Sequence, residues 1–288
     1  ADDFHHAVHA ILTGEREGYY SDFGKTEHVV DALKNSYVYS GDYSNFRKRR
    51  HGNSAMNRPT YQFVVAVQNH DQVGNRAFGD RLANLVPFEA LKLAAGVMIL
   101  SPYLPMLFMG EEYAEDSPFL YFIHHSEPEL VEAVQEGRKA EFQAFKWKGT
   151  IPDPQSEGTF DQSKLKWDRI AEGKHKLMFE FYRKLIRLRQ SIPALETFDR
   201  DAIDVKGNEE EKIIFLNRTN RDSSVYCIMN FSNIEVTTFA NMPEGRWKKI
   251  LDSADERWMG RASQTPARIT NRQDITIREY SFTLYEKE

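Results

Sequence analysis

The stretch Val64–Arg76, VVAVQNHDQVGNR, limits the possible folds more than any other part of the chain. Val64, Val65, Ala66 and Val67 form a short apolar run rich in β-branched residues, with no polar residue to meet water on either face. That is the pattern of a strand buried on both sides, as in a parallel sheet covered by helices. Gln68, Asn69, His70, Asp71 and Gln72 then place a carboxylate, an imidazole and three amides at the strand's C-terminal end. In α/β architectures that end carries the chemistry. So many hydrogen-bonding groups in one place suit a polyhydroxylated ligand, gripped at many oxygens. The competing reading is an ordinary polar turn.

The rest of the chain supports an α/β protein. Phe4, Ala7, Val8 and Ile11 recur at helical spacing, with Asp2 or Asp3 in position to cap the helix. A Gly/Tyr/Asp turn at 18–24 leads to a second helix over 25–34, and a polar, basic loop over 41–59 precedes a strand over 63–68. The spacing predicts a helix over 88–100, broken by Ser101-Pro102 and Pro105, then a strand over 106–109 ending in Gly110-Glu111-Glu112-Tyr113. A further helix over 174–189 carries Arg187 and Arg189 in its last turn. Strand, polar loop and helix in repetition predict a parallel sheet.

After Pro193 the pattern changes to short β segments at 213–216, 225–229, 235–239, 247–251, 275–278 and 280–285, punctuated by Asn, Asp, Gly and Pro. In the last of these, Tyr280, Phe282 and Leu284 alternate with Ser281 and Thr283, as in a strand with one buried face. We therefore expect residues 1–193 to form an α/β unit and residues 194–288 an antiparallel β-sandwich domain.

With 288 residues the chain can bury a substantial core, and a net charge of −5 argues against dedicated nucleic-acid or membrane-surface binding. Cys227 has no partner cysteine, no secretory apolar segment opens the sequence, and the longest apolar run, 93–100, is too short to span a bilayer. These features point to a cytoplasmic protein.

VVAVQNHDQVGNR followed by LSPYLPMLFMGEEY resembles the seventh and eighth barrel strands of the alpha-amylase superfamily of glycoside hydrolases, with N-H-D as its fourth signature region. More narrowly, DDFHHAVHAILTGEREGYYSDFG, YSNFRKRRHG and QNHDQVGNR resemble the malto-oligosyltrehalose trehalohydrolases, and the similarity runs through the whole chain. The resemblance implies the last strands and helices of a (β/α)8 TIM barrel ahead of the β domain. It also implies cleavage of the α-1,4 bond next to the trehalose end of a malto-oligosyltrehalose, with no cofactor and no catalytic metal. A malto-oligosyltrehalose synthase would supply the substrate.

Such glycosidases use a carboxylate pair to protonate and attack through an oxocarbenium-like transition state. The amylase type adds a third carboxylate that grips sugar hydroxyls, and Asp71 occupies that position by resemblance. His70 would bond the same glucose, while Asn69, Gln72 and Arg76 would support the loop or the substrate. The family's nucleophile lies in an R-x-D-A-x-H setting after the fourth strand, and its acid is a glutamate after the fifth; neither motif occurs in this sequence. The expectation is a carboxy-terminal portion of a longer enzyme, inactive alone. The N-H-D element by itself would also permit a branching enzyme or an amylase, and a non-catalytic malto-oligosaccharide-binding protein is the alternative from another class.

Other residues invite competing readings. His5 and His9 share a helix face at i, i+4, but no H-E-x-x-H pattern or nearby cysteine supports a metal. Asp3 and His6 would either touch substrate at the rim or serve the helix start. Arg47-Lys48-Arg49-Arg50 is one short basic loop without aromatic interleaving, so a solvated or sugar-facing loop is favoured over nucleic acid. Glu111 and Glu112, being adjacent, should point apart, leaving Glu112 as the substrate-contact candidate. Trp147, Trp167, Trp247 and Trp258 read as packing before sugar platforms, and the sequons at Asn217 and Asn230 as chance matches.

Overall fold

The computed structural model describes residues 1–143, 151–270 and 272–288, so Trp147 lies outside the described residues. Helix α1 (Asp2–Thr13) buries Phe4, Ala7, Val8 and Ile11 as their spacing requires, and stops at Gly14, whose φ of 77° lets its N–H reach the Ala10 carbonyl. Its N-cap is Ala1, with no side-chain cap bond, so the capping expected of Asp2 or Asp3 does not occur. The helix starts one residue early, and both acids sit in its first turn, where they complement the dipole.

Helix α2 (Thr26–Asn35) follows. The basic loop expected over 41–59 instead holds a hairpin of β1 (Ser40–Ser44) and β2 (Arg49–Gly52). Strand β3 (Val64–Val65) leads to α3 (His70–Gly74), α4 (Leu82–Leu85) and α5 (Phe88–Leu100), and then to β4 (Leu104–Pro105). Strands β3 and β4 pair in parallel, Val64 with Leu104 and Val65 with Pro105, with α5 between them in sequence. Strand β3 is shorter than the strand expected over 63–68, and β4 lies just before the strand expected over 106–109, where no strand forms. Backbone bonds extend the pairing only from Leu104 N–H to Phe63 and from Met106 N–H to Val65, and Val64, Leu104, Met106 and Met109 are exposed. A ladder runs only as far as both chains offer partners.

Helix α5 is buried almost all round, including Leu93, Ala94, Val97, Met98 and Leu100, which makes it a core helix rather than an amphipathic one. The chain continues through α6 (Pro128–Gln143), α7 (Glu157–Gln162), α8 (Gly173–Ser191) and α9 (Pro193–Glu196).

The remaining strands are β5 (Ile203–Asn208), β6 (Ile213–Asn220), β7 (Ser223–Asn230), β8 (Val236–Ala240), β9 (Trp247–Asp252), β10 (Arg268–Ile269), β11 (Gln273–Ile277) and β12 (Ser281–Lys287). Six form one antiparallel sheet, in the order β10-β9-β12-β7-β6-β5, and β11 pairs with β8 in a second layer. The expected one-sided burial of the last strand is not found: Ser281 to Tyr285 are all buried. Phe282 and Leu284 join the core shared with α1, α5 and α8, while Tyr285 joins a second cluster with Ile228, Trp247, Ile275 and Ile277. The sheet is covered on both faces, and the first core runs without a break from Phe4 to Leu284.

Candidate active site

The turn after β3 is built by Asn69. Its backbone is extended, and its Oδ1 accepts the N–H of Asp71 at 2.8 Å and of Gln72 at 3.4 Å, capping α3. The cap points the next two side chains outward. His70 and Asp71 are 71% and 68% exposed, with His70 Nε2 3.4 Å from Asp71 Oδ1. Of the residues expected in the site, these two present their polar groups to solvent at the strand end.

Their neighbours are engaged behind them. Gln72 is buried and donates to Asp2 Oδ1 at 3.1 Å, tying α3 to the start of α1. Arg76, also buried, grips Glu15 with both terminal nitrogens, at 2.9 and 2.8 Å, and Nε lies 3.7 Å from Asp80. His9 Nε2 completes the set, 2.9 Å from Glu15 Oε2. Burial pushes the Glu15 carboxyl up, but the bonds from His9 and Arg76 outweigh it and hold the group well below the usual carboxylate range.

The histidines of α1 serve the interior. His5 Nδ1 donates to the Val67 carbonyl at 2.6 Å, so its Nε2 accepts the Tyr20 hydroxyl at 2.7 Å. Burial, and then His9 and His6 nearby, push His5 far down, so it is a neutral ring. His6 stacks on Tyr19 with centroids 4.9 Å apart, and burial lowers its pKa to about 4. His9 stacks on Tyr20 at 4.4 Å. The facing nitrogens of His5 and His9 are thus taken by Tyr20 and Glu15, and no group of three or more His, Cys, Asp or Glu among the described residues is arranged to hold a metal.

Asp3 is half-buried and braces the hairpin. Its Oδ2 accepts the N–H groups of Val38 and Tyr39, both at 2.9 Å, fixing the entry to the β1–β2 hairpin. Asp22 anchors the other side of that hairpin, accepting the hydroxyls of Tyr39 (2.9 Å) and Ser44 (2.5 Å) and the N–H of Asn45. Arg50 donates to the Gly41 carbonyl, and Arg47 lies 5.7 Å from the centre of the Tyr39 ring. Below the hairpin, Asp22, His28, Tyr39 and Tyr43 line a groove of about 530 Å³.

After β4, Glu111–Tyr113 form a 3-10 turn. Glu112 is half-buried, whereas Glu111 is buried and accepts the Tyr182 hydroxyl at 2.7 Å. Burial raises Glu111 to about 7. Trp247 is buried and Trp258 packs on Phe181, but Trp167 is exposed. Sequence reasoning missed Glu15, the hub of the support network, and an aromatic row in which Phe119 rests on Gly74 of α3 and Tyr121 faces Arg138, the donor to the Gly74 carbonyl. The run PFLYF after Asp116 was the available signal.

Residues 203–288 match the alpha amylase C-terminal all-beta domain. A malto-oligosyltrehalose trehalohydrolase of Saccharolobus solfataricus is 51% identical over 189 residues, covering 66% of this chain and 32% of that protein. One from Brevibacterium helvolum is 40% identical over 240 residues, covering 82% and 40%. A crystal structure assigned as an alpha amylase from Salmonella typhimurium aligns over all of this chain and 46% of its own, with a TM-score of 0.83 and 31% identity. The chain spans between a third and two-fifths of the length of these two curated relatives. On the strength of these matches, the chain belongs to the alpha-amylase superfamily, in its malto-oligosyltrehalose trehalohydrolase family.

Proposed function

We propose that this chain forms part of a glycosidase that hydrolyses the α-1,4 bond beside the trehalose end of a malto-oligosyltrehalose. The observation that carries this reading is the outward His70–Asp71 pair, set on a capped turn whose other polar side chains are engaged behind it. Residues 1–193 would contribute the last part of a (β/α)8 barrel and residues 194–288 the closing β domain. The nucleophilic aspartate and acid glutamate of a retaining mechanism would come from outside these 288 residues. The substrate would come from a malto-oligosyltrehalose synthase, in the cytoplasm.

In this reading Asp71 accepts sugar hydroxyls and His70 donates to the same ring. As the ring flattens toward the oxocarbenium ion, the fixed carboxylate gains against the ground state, and sugar packed over it excludes the water that now screens it. Glu112 and the hairpin side chains, Arg47 among them, would contact more distant sugars. Gln72 and Arg76 act indirectly, by fixing α3, as do Asn69 through its cap and Asp3 through the hairpin.

The test uses maltotriosyltrehalose and the complete gene product. Asp71→Asn is expected to lower trehalose release by about 10²–10³-fold with unchanged thermal stability, because the side chain lies in solvent. The 288-residue chain alone is expected to release none. Wild-type release by the Asp71→Asn protein, or trehalose from the chain alone, would refute the reading.

A further inference from the structure

Two buried carboxyls flank the end of β4, and they are served very differently. Glu115 accepts the Tyr113 hydroxyl and the N–H groups of Lys166, Asp116 and Ser117, which outweigh its burial and hold it down at about 2. Glu111 accepts the Tyr182 hydroxyl on Oε1, whereas its Oε2 is buried with no protein partner at hydrogen-bond distance. The carboxyl borders a cavity of about 10 Å³, lined also by Val67, Gln68, Leu82, Ala114 and Met178. Such surroundings favour the neutral carboxyl, and although Tyr182 and the nearby Gln68 amide support the ionised form, ionisation rewards any rearrangement that brings a donor to Oε2.

The part of this wall with a polar side chain next to the site is Gln68. Its Oε1 accepts the Leu82 N–H at 3.0 Å, and it directly precedes Asn69, the cap of α3. We propose that Glu111 is a positioning residue operated by its own proton. Neutral, it leaves Gln68 holding the strand end through the Leu82 N–H; ionised, it pulls harder on the Gln68 amide that already faces it and loosens the Asn69 cap that aims His70 and Asp71. This inference rests on the reading of Asp71 as the carboxylate that grips substrate.

The groups around Glu111 set its titration. Burial raises it to about 7, against bonding from Tyr182 of α8 and from the Gln68 amide, and Glu112 on the same turn raises it further. The nearby cation Arg81 donates from Nε to the Ser117 carbonyl and from Nη1 to that of Met109, while its Nη2 is buried without a hydrogen-bond partner, and Glu115, Tyr113, Glu111 and Glu112 all act on it. The arrangement therefore switches close to neutral pH.

Two readouts test this on the complete gene product. The first is hydrogen exchange at the Asp71 and Gln72 amides, which bond to Asn69 Oδ1. After correction for intrinsic rates, their protection should fall about tenfold as Glu111 ionises, and stay flat in Glu111→Gln. The second is the pH profile of kcat/KM on maltotriosyltrehalose. The wild type should lose activity above its midpoint by about tenfold per pH, and Glu111→Gln should lack that limb. Tyr182→Phe removes a bond that favours the ionised form, so it should move both midpoints up by about one pH unit, and it serves if Glu111→Gln fails to fold. Identical exchange in wild type and variants overturns the inference and leaves the proposed reaction standing. A pH-dependent cap in a protein that never releases trehalose overturns the reaction and, with it, the role assigned to Glu111 in positioning Asp71.

Discussion

Replacing Glu15 with alanine removes an acceptor of three bonds, two from Arg76 and one from His9. Hydrogen bonds to charged groups contribute about 1.5–3 kcal/mol each, but three on one carboxylate do not add in full. Water also already reaches Glu15, whose side chain is 32% exposed. The larger effect falls on Arg76, which is 9% exposed and would lose its bidentate partner. Stranding a buried guanidinium costs about 3–5 kcal/mol, and Asp80, at 3.7 Å from Nε, offsets a part. Glu15→Ala is therefore expected to cost about 3 kcal/mol, read as a lower urea midpoint at constant m-value. Arg76→Met should cost less, because the remaining Glu15 can turn to water, and the double variant should show coupling of about 2 kcal/mol. The pH dependence has a definite sign. The folded Glu15 carboxyl titrates below its ordinary 4.5, so its contribution is present above that pH and is lost as the solution is acidified, where wild type and Glu15→Ala should converge. If Glu15→Ala costs under about 1 kcal/mol and adds simply to Arg76→Met, the argument fails and Arg76 has to be reassigned to the substrate.

Lys92 is buried and donates to the carbonyls of Ser253 and Trp258, and burial pulls its pKa from 10.5 to about 8. The unfolded chain then binds more protons across that window, so wild-type stability should rise from about pH 8 to 10.5 relative to Lys92→Met, measured by urea unfolding at each pH; parallel curves would refute the argument. Gly96→Ala would set a Cβ within 2.3–2.8 Å of three Phe282 ring carbons, which should cost about 1–3 kcal/mol and lower Tm; an unchanged Tm would mean the α5–β12 packing gives way easily.

The sequence announces what depends on short-range pattern and hides what depends on distant partners. Helices α1, α5 and α8 follow from apolar spacing, and the β domain from its alternation and turn residues. The polar cluster after Val67 could be placed at a strand end because strand and cluster adjoin in sequence. The β1–β2 hairpin was hidden because SGDYS and RRHG are polar on both faces, so no alternation marks them. Burial of Ser281 and Thr283 depends on a second layer that the strand's own pattern cannot report. Glu15 lies 61 residues from Arg76, and no local motif links them. The tandem glutamates after β4 were visible as a pair, but which of them turns inward is decided by Tyr182 on α8, far along the chain. The same holds for Asn230: its sequon is visible, yet the residue is fully buried, with its amide bonded to the carbonyls of Ile234 and Arg278.

The junction between the helices and the β domain shows why that domain matters to a site on the other side of the core. Helix α5 ends without a glycine, at an extended Ser101, so its last carbonyls need donors from elsewhere. Two arginines supply them, the half-buried Arg189 and the fully buried Arg218. Arg189 of α8 donates to Ile99, Ser101 and Tyr103, and Arg218 of β6 to Leu100, Ser101 and Thr197. A cation at a helix C-terminus is favoured by the dipole, and a guanidinium offers enough donors to serve several carbonyls at once. Burial lowers both, Arg189 to about 10 and Arg218 to about 9, the latter also repelled by Arg189, so the arrangement persists because removing either cation would leave the helix end unsatisfied. Lys92 repeats the device from within α5, reaching the carbonyls of Ser253 and Trp258. The segment that leaves α5 becomes β4, which pairs with β3, and β3 leads into the His70–Asp71 turn. The β domain thus fixes the end of α5, and α5 fixes the strand pair from which the site projects.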